Sequence, residues 1–163
     1  MGASNLSADQ LRDALAVAAD KGLPRYETLQ PEYNLYDRSS YDGPLRDLCM
    51  AEHLGVITYF GLAKGFLSGK YRSEADLSKS PRGGGIKGYL NPRGMRILAA
   101  LDEVAATHAA NPAEVALAWL IARPGVTAPI ASATTVDQLS SLVRAAAIDL
   151  SPDDLRRLDD ASA

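Results

Sequence analysis

Three short apolar segments in this chain each stand just after a helix-stopping glycine. Gly22 precedes residues 26–30, Gly55 precedes residues 56–59, and Gly125 precedes residues 126–131. Glycine ends helices because it adopts the left-handed backbone conformation at little cost. A short apolar strand entered from one helix and left by a connection to the next is the grammar of parallel βα units. With a stub at residues 1–4, the chain offers three full strands and a possible fourth. That number suits a small open sheet or part of a closed barrel. A flavodoxin-like sheet needs about five strands, and five are not found.

The helices are marked by their caps. Ser7 and Gln10 make a capping box, and Leu11, Leu15 and Ala18 follow at helical spacing before Gly22 and Pro24. Residues 44–54 form a second predicted helix, with Leu45, Leu48 and Cys49 on one face and Gly55 as its stop. A helical turn is expected at residues 65–69. Residues 93–109 carry Ile97, Leu98, Leu101, Val104 and Ala105. Asn111, Pro112 and Glu114 then open a helix with little polar surface. Thr134 or Thr135 caps a helix reaching about residue 146, with Val136, Leu139, Leu142 and Val143 expected inward. Ser151 and Pro152 open the last helix. Residues 71–91 are rich in charge and hold Pro81 and three adjacent glycines, so a long surface loop is expected there, either a mobile excursion or a lid.

At 163 residues the chain is one domain with room for a real core. A formal charge of −3 leaves no basic surplus for a nucleic-acid backbone. No apolar run reaches the roughly 18 residues of a membrane helix, and residues 1–5 do not resemble a signal peptide. A cytoplasmic location is the expectation. Cys49 is the one cysteine, which excludes an internal disulfide, and His53 and His108 are too scattered to suggest a metal. Both histidines are expected at helix C-termini. Trp119 is expected in the core, and Asp153, Asp154, Asp159 and Asp160 at a solvated end.

Four stretches carry a resemblance. Gly2-Ala3-Ser4-Asn5, then the run from Leu29 to Leu35 (LQPEYNL), the run from Tyr59 to Tyr71 (YFGLAKGFLSGKY), and the run from Pro129 to Leu139 (PIASATTVDQL) are similar, in this order, to the aldo-keto reductase family. The resemblance covers essentially the whole chain. It implies a (β/α)8 barrel that binds NADPH and reduces aldehydes and ketones, of which these motifs match the second half, from the end of the fifth strand. It also implies that the family's catalytic Tyr, Lys, Asp and His belong to the part preceding the matched region. No residue here is assigned those roles.

The same resemblance implies a set of cofactor contacts. Ser4 and Asn5 match the pair that bonds the nicotinamide carboxamide; an amide needs a donor and an acceptor, which short polar side chains at a strand end supply. The alternative is that Asn5 and Ser7 cap the first helix. Gln30 matches a contact to the same amide, or is a loop residue. Tyr59 matches the ring under the nicotinamide, where stacking fixes the presented face; a core-edge role is the alternative. Phe60, Gly61 and Leu62 follow where a phosphate contact is implied, and Gly61 restricts that contact to backbone. Lys70 faces either the pyrophosphate or solvent. Ser132, Thr134 and Thr135 precede a helix N-terminus. Gln138 stands where an Arg often meets the 2′-phosphate, and it lacks that charge. NADP(H) binding is therefore expected to be weak or lost.

An isolated half barrel would leave both sheet edges unpaired, with Val56, Ile57, Val126 and Ile130 facing water. Self-association, a homodimer above all, or a separate N-terminal half is expected to complete it.

Overall fold

The computed structural model describes residues 1–79 and 83–163. Four strands form one parallel sheet in chain order: β1 (Gly2–Ser4), β2 (Thr28–Gln30), β3 (Gly55–Thr58) and β4 (Ala128–Pro129). Helix α1 (Ala8–Lys21) joins β1 to β2, and α2 (Pro44–Ala51) lies between β2 and β3. Helices α3 (Pro92–Thr107) and α4 (Pro112–Ala122) lie between β3 and β4, and α5 (Val136–Ala145) and α6 (Pro152–Ser162) follow. This is an α/β fold consistent with part of a (β/α)8 barrel.

The register places Ala3 beside Leu29 and Leu29 beside Val56. All three are buried and join the core cluster with Leu11, Leu101 and Trp119. Strand side chains alternate between faces, so Ser4, Thr28, Gln30 and Ile57 take the other face and keep solvent contact. Val56 therefore lies in the core and not on the open face, contrary to expectation. Val126 packs partly against the core, while Ile130 is exposed as foreseen.

Several predicted boundaries move. Helix α2 ends at Ala51, and His53 at φ 55° takes the left-handed position expected of Gly55, which is instead the first residue of β3. The Leu54 N–H then bonds back to the Cys49 carbonyl at 2.9 Å, closing the helix end. Strand β4 is only two residues long, because pairing with β3 stops at Pro129. In α5 the stripe runs the other way from expectation: Val136 is 78% exposed and Val143 66%. Leu139 is exposed too, and Leu142 is partly buried.

The described part of the 71–91 segment is less loose than its composition suggests. Short 3-10 turns run through it, and Tyr71, Ile86 and Tyr89 are buried anchors. Of the residues singled out there, Pro81 and Arg82 lie outside the described residues.

The carboxylates expected at a solvated end divide. Asp153 and Asp160 are exposed, but Asp159 accepts from Trp119 Nε1 at 3.1 Å, from Arg38 at 3.0 Å and from Arg123 at 2.9 Å. Trp119 is fully buried, as expected, with both guanidinium groups over its ring. The same network holds Asp42, which accepts from Arg38 and from Tyr33. Burial and that bond push the Tyr33 hydroxyl up to about 12. Asp154 pairs with His108 at 3.0 Å, so His108 joins α3 to α6 and does more than end its helix.

Candidate functional site

Parallel pairing sets the C-terminal ends of the strands side by side, the edge where α/β folds gather their ligands. Ser4 and Gln30 are register partners, and the Ser4 hydroxyl donates to the Gln30 carbonyl at 2.9 Å. Tyr59 extends β3 by a bridge to Glu32. Its hydroxyl donates to Asn5 Oδ1 at 2.8 Å. Asn5 holds a left-handed backbone, φ 55°, which asparagine tolerates better than most residues. The α1 capping box uses Ser7 and Gln10 without Asn5. Four of the residues singled out in the sequence, Ser4, Asn5, Gln30 and Tyr59, thus converge on one rim.

The loop after Tyr59 is tightly held. The Phe60 ring meets the Tyr59 ring edge-on at 5.1 Å and is 47% exposed. Gly61 is buried against α4: a Cβ there would stand 2.9 Å from Leu120 Cδ1 and 3.3 Å from Leu117 Cδ2, so glycine is what lets the backbone approach this closely. Leu62 packs against the core. Lys70 stays exposed with Nζ 5.0 Å from the Tyr71 ring.

Two residues beneath this loop escaped the sequence analysis. Asn34 is fully buried; it donates to the Phe60 carbonyl and to Asp37, and its Oδ1 accepts from the Tyr36 and Asp37 N–H groups. Asp37 also accepts from Tyr89. Asn34 and Asp37 so fasten the 59–65 loop to the 83–89 segment. An asparagine two and three residues before the N–H groups it accepts from is a local turn signal. Its long-range partners leave no mark in the sequence. Close by, burial and the Asp37 carboxylate push the Glu32 carboxyl up, with the Lys64 charge opposing.

The tail residues form a second cluster beyond β4. Thr135 caps α5, accepting from the Gln138 N–H at 3.2 Å. Gln138 Oε1 accepts from the Thr134 N–H at 2.8 Å and from its hydroxyl at 3.1 Å. Ser132 is exposed. Among the described residues no hydrogen bond joins this cluster to the Tyr59 rim, and no group of three metal-ligating side chains occurs.

The first cluster carries amide groups beside an aromatic ring, and the second carries hydroxyls at a helix start. The rim offers amide donors and acceptors beside an aromatic face, as a carboxamide-bearing ring requires. Residues 126–143 contain neither Lys nor Arg, so an additional phosphate would find no cation there.

The sequence model of the aldo/keto reductase family matches residues 1–163. The chain belongs to the aldo/keto reductase family. Protein tas of Escherichia coli is 29% identical over 161 residues, which are 98% of this chain and 46% of that protein. The uncharacterised oxidoreductase YrpG of Bacillus subtilis is 32% identical over 164 residues, 98% of this chain and 48% of the relative. An uncharacterised oxidoreductase of Mycobacterium tuberculosis is 44% identical over 115 residues, 66% of this chain. This aldo/keto reductase chain thus spans about half the length of the curated relatives it matches along nearly its whole length.

Proposed function

We propose that this chain is the dinucleotide-holding part of an NADP(H)-dependent aldo-keto reductase acting on carbonyl or alcohol substrates. The observation that carries this reading is the 2.8 Å bond from the Tyr59 hydroxyl to Asn5 Oδ1. It fixes an aromatic face beside an amide and a hydroxyl at the strand ends. When bound, the cofactor supplies the hydride. Tyr59 presents a flat surface that sets which ring face is turned to the substrate. Ser4, Asn5 and Gln30 hold the carboxamide in one orientation, which removes rotational freedom before reaction.

Proton delivery to the carbonyl oxygen is assigned elsewhere. The Tyr59 hydroxyl already donates to Asn5, and among the described residues no Lys or His is bonded to it. Absence of a positioned acid costs about 10²–10⁴-fold in rate. On this reading that acid belongs to a companion part of the barrel, in the same polypeptide or another. A non-catalytic assembly unit is the second reading, favoured by the apolar stripe on α5.

Fluorescence titration with NADPH, and NADPH absorbance followed with reactive aldehydes and ketones, test the proposal on one sample. Binding that Tyr59→Ala weakens about tenfold, with no turnover by the chain alone, is expected, because loss of a stacked aromatic costs about 1–3 kcal/mol. Absence of binding overturns the reading in favour of the assembly unit. Reduction that persists through repurification overturns the assignment of the acid to a companion part.

A further inference from the structure

We propose that Glu32 places a negative charge beside the nicotinamide seat at Tyr59, and so strengthens binding of the oxidised, cationic form of the dinucleotide and not of the reduced form. This rests on the function proposed above, and concerns a residue to which the family resemblance gave no role.

The register is the first argument. Glu32 pairs with Tyr59 in a parallel bridge. Two backbone bonds flank it: the Tyr59 N–H donates to the Pro31 carbonyl at 3.0 Å, and the Tyr33 N–H donates to the Tyr59 carbonyl at 3.3 Å. Paired residues on neighbouring strands turn their side chains to one face, and the residues on either side turn to the other. Pro31 and Tyr33 are buried on the core side. Glu32 and Tyr59 therefore stand side by side on the face that carries Gln30, and all three keep solvent contact.

The state of the carboxyl is the second argument. Asp37, the other carboxylate close to the rim, is committed: it accepts from Asn34 at 3.1 Å and from Tyr89 at 3.2 Å. Glu32 differs. Ser40 donates to its backbone carbonyl at 2.6 Å, and among the described residues its carboxyl has neither a donor nor an ion pair. Asp37, Lys64 and Tyr89 are the titratable groups that face it. Burial and the Asp37 charge push this carboxyl up, and the Lys64 charge only partly opposes them. A carboxylate disfavoured in this way gains from any further positive charge set beside it.

The chemistry of the ligand is the third. The oxidised nicotinamide ring carries one positive charge and the reduced ring carries none. The two forms share their phosphates and nearly share their shape, so a difference between their affinities reads the charge around the ring. An opposite charge acts over several ångströms where water is partly excluded. Tighter holding of the oxidised form makes the bound couple a stronger reductant than it would be without Glu32.

The test measures NADP⁺ and NADPH binding by calorimetry at about pH 8, where carboxylates are ionised, for the wild-type chain, Glu32→Gln, Glu32→Asp and Asp37→Asn. The readout is the ratio of the two Kd values, which a general loss of structure leaves alone because it weakens both forms together. Glu32→Gln should weaken NADP⁺ binding about tenfold relative to NADPH, as loss of a neighbouring opposite charge does. Glu32→Asp keeps the charge and should stay near the wild-type ratio. Asp37→Asn should move the ratio less than Glu32→Gln does. In the wild-type chain the ratio should shift against NADP⁺ as pH falls from about 8 to about 5, because a protonated carboxyl offers no charge. An unchanged ratio in Glu32→Gln, an equal change in Glu32→Asp, a larger change in Asp37→Asn, or a wild-type ratio flat with pH overturns the Glu32 assignment and leaves the dinucleotide reading standing. Failure of the wild-type chain to bind either form overturns the proposed function, and this inference with it.

Discussion

Gln138 turns its side-chain oxygen back on its own helix. Oε1 is held by the Thr134 N–H and hydroxyl, so it reinforces the start of α5 and presents no charge outward. A 2′-phosphate at that position would meet Thr134, Thr135 and the neighbouring Asp137, and no guanidinium. Gln138→Arg should therefore improve NADPH affinity relative to NADH by about tenfold, the value of one charge-assisted contact. The ratio of the two Kd values measures this, and an unchanged ratio would remove the α5 N-terminus from the cofactor path. Thr134 loses its Gln138 acceptor in this variant, so a small drop in Tm is expected alongside.

Helix α4 illustrates how one cap holds two elements. Glu114 is 3% exposed, closes the capping box on the Asn111 N–H at 3.0 Å, and accepts from Arg144 of α5 at 2.9 Å. Asn111 in turn donates to Ser141 of α5 at 3.1 Å. Glu114→Ala should cost about 1–3 kcal/mol, through the lost cap and the buried N–H left without its partner, read as a lower urea midpoint. Burial pushes the Glu114 carboxyl up, but the bonds from Asn111, Ser141 and Arg144 outweigh it and hold the carboxyl below its usual range. Its contribution is thus full above the unfolded value of about 4.3 and fades as pH falls through the lower folded value, where the unfolded chain binds more protons. Acidification from pH 6 to pH 3 should cost wild type more stability than Glu114→Gln. An equal loss would show that the carboxyl is not tied down. Caps such as Ser7-Gln10 and Asn111-Pro112-Glu114 were legible in the sequence because each is complete within four residues. The Ser4, Asn5, Gln30 and Tyr59 rim was legible only through its family likeness. The Trp119, Arg38, Arg123 and Asp159 network joins residues as far as 121 positions apart, and no periodicity encodes it. In α5, spacing revealed the apolar stripe but not what covers it, so Val136, Leu139 and Val143 were expected inside.

At the scale of the whole fold, the four-strand sheet of the described residues is open and not closed on itself. Among the described residues β1 and β4 each pair on one side only, and unpaired strand edges recruit further chain. Self-association is therefore the proposed state of the isolated chain, with two four-strand sheets approximating the eight strands of a closed barrel. Light scattering coupled to size exclusion should give about twice the 17.3 kDa of one chain. A clean monomer at micromolar concentration would refute this, and Val136→Lys with Val143→Lys should shift the population toward monomer. The ionic clasp around Trp119 has a consequence of another kind. The chain has one tryptophan, and its indole N–H is bonded to a carboxylate carried by α6. Undocking of that terminal helix would wet the ring and take away its acceptor, shifting the emission to longer wavelength while most of the backbone signal stays in place. The protein thus carries an optical gauge of its own C-terminal closure.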